Sequence, residues 1–188
     1  VLHVFLTCVV SCDHMKQIHV RRHAPKHATG TLTEDGKILA KKIGETLPSY
    51  TVVMSSPRPR AVETAELLTG VSPTVDSRAG TPVFTEEQEH GLHLKGQQHA
   101  YGIAGAIFEI PEYRSLVMDK GKELAKLIED VFALLPEDGT ALVISHDGVM
   151  VAADMVLRDL IDTRPTKTYQ PLEGFIVYEN GEVTDIVV

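Results

Sequence analysis

Short apolar runs alternate with stretches of helical period along this chain, and three of the runs end in polar residues. Gln17 to Arg21 leads into Arg22-His23, Thr51 to Met54 into Ser55-Ser56, and Ala141 to Ser145 into His146. Strands separated by helical segments build a largely parallel sheet, because each parallel connection must cross back over a sheet face. The expected fold is therefore α/β: a single three-layer α/β/α domain with a mostly parallel central sheet. In such sheets ligands sit beyond the carboxyl ends of the strands. The alternation that sets the architecture thus also gathers two histidines and several arginines into one crevice, the parts needed to hold a phosphoryl group and attack it.

The helical segments have readable limits. Leu32-Thr33-Glu34-Asp35-Gly36 opens a helix running to about Leu47, with Thr33 as N-cap and Leu39, Ile43 and Leu47 on one face. A second helix, from about Arg58 to Thr69, buries Ala61, Ala65 and Leu68 and stops at Gly70. Lys120 to Leu135 places Leu124, Leu127, Ile128, Val131 and Leu135 at helical spacing, and another helix runs from Gly148 to about Leu160. Phe175 to Tyr178 and Val183 to Val188 flank Asn180-Gly181, a hairpin pattern. Residues 71–112 read as irregular, with one short helix at Tyr101 to Ile110. A connection this long carries function, so residues 71–118 are expected to cap the crevice.

Charge narrows the partners. With 18 basic and 26 acidic residues the net charge is −8, which argues against a nucleic acid or an anionic membrane as partner. A local cationic pocket remains open, because net charge does not say where arginines point. The partner expected is a small phosphorylated substrate or a phosphoprotein, with a second copy of the chain, in a homodimer, as a further expectation. Cys8 and Cys12 are the two cysteines; they make neither a disulfide framework nor a C-x-x-C metal pair. The chain divides into residues 1–14 and a domain at 15–188. Val9-Val10-Ser11-Cys12 is similar to a lipobox, which would anchor the protein through a lipid on Cys12. The other readings of 1–14 are an extension upstream of a start at Met15, with a cytoplasmic protein, or an extra strand.

Four segments, in order, resemble the histidine phosphatase superfamily, which includes the cofactor-dependent phosphoglycerate mutases. Arg22-His23-Ala24 resembles its Arg-His-Gly signature, and Leu32-Thr33-Glu34-Asp35-Gly36 its Leu-Thr-x-x-Gly helix start. Ser55-Ser56-Pro57 through Arg60-Ala61 to Thr64-Ala65 is similar to Ser-Ser-Pro-x-x-Arg-Ala-x-x-Thr-Ala. Ser145-His146-Asp147-Gly148 is similar to Ser-His-Gly-Gly. Two departures stand out. Ala24 replaces glycine, which would be strained if that position required positive φ, and Pro25-Lys26 replaces small polar residues.

The resemblance implies a phosphoglycerate mutase-like fold, a mechanism without metal or cofactor, and a set of roles. His23 would be the nucleophile, unprotonated on the attacking nitrogen and hydrogen-bonded through the other. Arg22 and Arg60 would clamp phosphoryl oxygens, since guanidinium is planar, permanently charged and bidentate. Arg58 competes for the second place, and the family spacing selects Arg60. Arg21 should point to the other face of its strand. His146 would donate to a phosphoryl oxygen as a cation, joined by the backbone N–H of Asp147 at a helix start. Lys26 is a weaker phosphate contact. The general acid would be Glu87, with Glu86 and Glu89 as alternatives.

His90, His93 and His99 admit a zinc reading, with His90 and His93 on one helical turn, but no third ligand is evident and the segment does not read as helix. The function expected is a metal-independent phosphomonoester phosphatase, a histidine acid phosphatase-type hydrolase, acting through phospho-His23. The alternatives are a phosphoglycerate-type mutase, a phosphohistidine-protein phosphatase, and a non-catalytic phospholigand-binding module.

Overall fold

The structure is a computed structural model and describes residues 15–188; the readings of the first fourteen residues, Cys12 included, lie outside it. Its strands are β1 (Gln17–Arg22), β2 (Val52–Ser55), β3 (Thr74–Val75), β4 (Thr140–Ser145), β5 (Gly174–Tyr178) and β6 (Val183–Ile186). They form one sheet in the order β3-β2-β4-β1-β5-β6. β3, β2, β4 and β1 are mutually parallel, and β5 runs antiparallel to both β1 and β6. The sheet is mixed and mostly parallel, as the strand–helix alternation predicts, with the Asn180-Gly181 hairpin at one edge.

The helices are α1 (Glu34–Gly44), α2 (Pro59–Thr69), α3 (Glu86–Gly96), α4 (Gly102–Glu109), α5 (Pro111–Leu134) and α6 (Asp147–Leu157). All six residues of β4 are buried, because this central strand is covered on both faces and alternation sends successive side chains to opposite sides. Ala141 and Val143 join Ile18, Val20 and the apolar faces of α5 and α6. Leu142 and Ile144 join Ala40 of α1 and Ala61, Ala65 and Leu68 of α2. Gly70 stops α2 in the left-handed region at φ 72°, its N–H returning to the Glu66 carbonyl.

Three expectations are corrected. The stripe that α1 buries contains Gly36 and Ala40, while Leu39 remains 36% exposed. The helix expected from Lys120 begins at Pro111, whose missing N–H and fixed φ suit a first helical position. Residues 71–112 are not irregular: they hold β3, a 3-10 turn at Ser77–Ala79, α3, α4 and the start of α5. Thr85 and Gln88 close a reciprocal capping box that starts α3, so His90 and His93 do lie on a helix. Among the described residues, no helix is long and apolar enough to cross a membrane.

Candidate active site

Register brings the site together. Arg22 of β1 pairs with Ser145 of β4, and Ile144 of β4 pairs with Ser55 of β2, so three strands end level. The ladder runs one step further, with the His23 N–H donating to the Ser145 carbonyl at 3.2 Å and the Ser56 N–H to the Ile144 carbonyl at 3.0 Å. His23 and His146 therefore emerge side by side, both buried, with ring centroids 5.2 Å apart at 61°.

The His23 ring is fixed in one tautomer. Nδ1 lies 2.8 Å from the Ala24 carbonyl oxygen. A carbonyl only accepts, so Nδ1 carries the proton and Nε2 keeps its lone pair. Burial lowers the His23 pKa to about 3; the Ala24 carbonyl opposes this, and the charges of Arg60, Arg22 and Lys26 add to it. The ring is thus a neutral, oriented base at neutral pH.

The turn after His23 is anchored from two sides. The Ala24 N–H donates to Thr64 Oγ1 at 3.0 Å, and that hydroxyl donates to the Arg60 carbonyl at 2.6 Å. The Thr33 N–H donates to the Pro25 carbonyl at 3.0 Å. Gly36 lets α1 sit against the same carbonyl, where a Cβ would lie 2.6 Å from the oxygen. Ala24 is fully buried and is not among the residues with positive φ. Its methyl group therefore carries no backbone penalty, which answers the concern raised by the departure from glycine.

His146 is held between two side chains. Arg60 Nη2 lies 3.2 Å from His146 Nδ1, and guanidinium has no acceptor, so Nδ1 must accept. His146 Nε2 then carries the proton and donates to Ser56 Oγ at 2.8 Å. Burial, followed by the charge of Arg60, pushes the His146 pKa well below the usual imidazole value. The ring is neutral in this arrangement, and the expected cation is the form that a bound anion would favour.

Arg22 is held by the Tyr169 carbonyl and lies 3.5 Å from Asp147 Oδ2. The same carboxylate accepts from Thr168 Oγ1 at 2.6 Å and the Tyr169 N–H at 2.8 Å. Asp147 opens α6, where its backbone N–H has no partner within the helix. Arg21 points to the opposite sheet face and donates to the Leu172 carbonyl at 2.8 Å, as strand alternation predicts. Nε of Arg22 and Nε of Arg60 are both buried without an acceptor among the described residues. Arg21 Nε, on the opposite sheet face, is orphaned in the same way, so the case for an anion rests on the guanidinium groups of Arg22 and Arg60 lining one cavity with His23 and His146.

These groups line a cavity of about 540 Å³. Arg22, Lys26, Arg58 and Arg60 form its cationic pole within an acidic chain. Their mutual repulsion shows in the pKa values of Arg60 and Lys26, both lowered first by burial and then by the neighbouring cations. An anion relieves that repulsion.

The candidate acids do not all reach the cavity. Glu86, Glu87, Glu89 and His93 are all exposed on α3, and of these Glu89 and His93, one turn apart, border the cavity. Glu89, an alternative named from the sequence, is the one of the three carboxyl groups that borders the cavity. The zinc set does not converge: Gln97 Nε2 lies 3.2 Å from His93, and His99 lies 3.2 Å from Glu109. Among the described residues, no three His, Cys, Asp or Glu side chains gather in a metal-holding group.

Ser56, Thr64 and the segment Thr168-Tyr169 are site residues that the sequence reading did not single out. Ser56 and Thr64 lie inside segments already quoted, where a hydroxyl beside a strand end or facing a turn was the available signal. Thr168 and Tyr169 carry no pattern of their own.

Solved structures share this fold. A mycobacterial glucosyl-3-phosphoglycerate phosphatase superposes with a TM-score of 0.65 at 20% identity, covering 91% of this chain and 97% of its own. A phosphoserine phosphatase from Entamoeba histolytica gives 0.65 at 15% identity, covering 93% and 98%. A phosphoglycerate mutase from Bacillus anthracis gives 0.61 at 18% identity, covering 94% of each chain. These neighbours are members of the histidine phosphatase superfamily, and the chain has their phosphoglycerate mutase-like fold. No family model matches the sequence, and no curated protein does.

Proposed function

We propose that this chain is a histidine phosphatase, a phosphomonoester hydrolase that works through a phosphohistidine on His23. The observation that carries this reading is the fixed His23 tautomer in a cavity that Arg22, Arg60 and His146 also line. Nε2 attacks phosphorus in line with the ester oxygen, the N–P bond forms and the P–O bond breaks. The ring gains positive charge as this happens, and the Ala24 carbonyl already accepts its Nδ1–H. Arg22 and Arg60 stabilise the phosphoryl oxygens in place before the reaction. Glu89 donates a proton to the leaving oxygen. Its carboxylate then takes a proton from the water that displaces His23, and inorganic phosphate leaves. Every charge and proton here is supplied by the chain, so the mechanism needs no metal.

The test is a panel of phosphomonoesters in EDTA, wild type beside His23→Ala. The expected result is phosphate release that survives EDTA and falls by about three orders of magnitude or more without the nucleophile. Equal rates in the two proteins would end the proposal. Interconversion of 2- and 3-phosphoglycerate without phosphate release would identify a mutase instead.

A further inference from the structure

The cavity lining is of two chemically different kinds, and the apolar kind bears on which substrate fits. The cationic side chains lining it come from the end of β1 and the loop after it (Arg22, Lys26) and from the β2–α2 connection and first turn of α2 (Arg58, Arg60). The apolar part of the lining comes from the cap and from α5 and α6: Phe84, Leu92, Ile103, Ile107, Val117 and Val149, with Ile107 and Val117 beside Gly148. Leu92, Ile107, Val117 and Val149 are also part of the main apolar core, so this wall is continuous with the interior.

The cap directs no cation into the cavity. Arg78 is turned away onto Asp76 at 2.8 Å and Asp130 at 2.6 Å. Arg114 donates to the Ile161 and Thr163 carbonyls at 2.9 and 3.0 Å. Lys95 does not line the cavity. The charged or titratable groups that the cap places there are Glu89 and His93. A leaving group bearing its own carboxylate would lose hydration against an apolar wall and find no cation supplied by the cap. Arg58 and Lys26 lie at the cationic pole, and Arg58 is already within 3.3 Å of Thr81 Oγ1. A volume of about 540 Å³ admits a phosphoryl group together with a sizeable organic group.

We propose that the natural substrate is a phosphomonoester with an uncharged, largely apolar alkyl or aryl leaving group, not a phosphorylated acid. This rests on the phosphatase reading of the same site. It makes Ile103 and Phe84, on the apolar wall, specificity-determining residues.

Two measurements separate this inference from the reading beneath it. The first is kcat/KM along ethyl, butyl and hexyl phosphate, with 3-phosphoglycerate as the charged comparison. The second is the Kd of the matching alkylphosphonates, which need no turnover. The inference expects kcat/KM and affinity to rise about threefold to fourfold per added methylene until the wall is covered, with 3-phosphoglycerate well below hexyl phosphate. Ile103→Asn, at a position 45% exposed and so tolerant of a polar group, should lower binding of hexylphosphonate more than that of ethylphosphonate. Affinity that is flat with chain length overturns the inference, as does a preference for 3-phosphoglycerate; either can occur in a working phosphatase. Affinity that rises with chain length in a protein without turnover supports the apolar site and defeats the phosphatase reading.

Discussion

The strand-end pole and the cap line one cavity but are held in different ways. The pole is polar and buried, and backbone sets its geometry: β1, β4 and β2 end level, and carbonyls of Ala24, Ser145 and Tyr169 orient His23 and Arg22. The cap is built from short helices, with α3 burying only Leu92 and Gly96. A rigid ladder suits transition-state geometry, which tolerates little displacement. α4 is anchored in the core through Ile107 and Phe108, whereas α3, with few buried residues, can vary without disturbing that ladder. The comparison assigns chemistry to the pole and, apart from one proton, selection to the cap.

The proton is where that division is most easily broken. Glu89→Gln should lower kcat/KM on an alkyl phosphate by about 10²–10⁴-fold. It should act far less on p-nitrophenyl phosphate, whose leaving group needs little protonation. Glu87→Gln, outside the cavity, should stay close to wild type on both. A large loss in the Glu87 variant with none in the Glu89 variant would reverse the assignment. Arg60→Ala tests the pole. Loss of a preorganised donor costs about 10²–10³-fold, and here it should strike both substrates equally because the clamp acts on the phosphoryl oxygens. A loss that depends on the leaving group would move Arg60 out of the clamp.

Acid stability sharpens the contrast next. Burial lowers the His19 pKa to about 4 and that of His23 to about 3, and His146 shifts in the same direction. As pH falls below the ordinary imidazole value of about 6.5, the unfolded chain takes up protons that the folded rings refuse. Stability present at neutral pH is therefore lost as pH drops toward 4, by up to about 1.4 kcal/mol per pH unit for each ring. Urea midpoints measured from pH 7 to 5 should fall, and His19→Gln should flatten the slope. A midpoint that is level or rising over this range would contradict the burial of these rings. Thr85→Ala removes the capping box at the start of α3 and should have the smallest effect, about 1 kcal/mol. It should raise KM more than it lowers kcat if the cap selects and the pole reacts, and the reverse split would merge the two roles.

The pole was largely legible in the sequence because strand alternation, strand-end polarity and the spacing from Ser55 to Ala65 are local patterns. The cap was not, because α3 has almost no apolar stripe and only its Thr85–Gln88 capping box announces it. Reading residues 86–96 as a helix would have placed Glu89 and His93 one turn apart on a common face and separated Glu87 from them. On α1, spacing alone selected Leu39, whereas the close approach to α2 and the sheet favours the smaller Ala40. Thr168 and Tyr169 grip Asp147 and Arg22 partly through main-chain groups, which no side-chain pattern encodes.

The most direct test is to quench the enzyme in alkali during turnover and locate phosphate on the chain by mass spectrometry. The account predicts one phosphoryl group on the peptide containing His23, formed in a burst before steady-state phosphate release. Phosphate release with no label at His23, or with the label on His146, would contradict it.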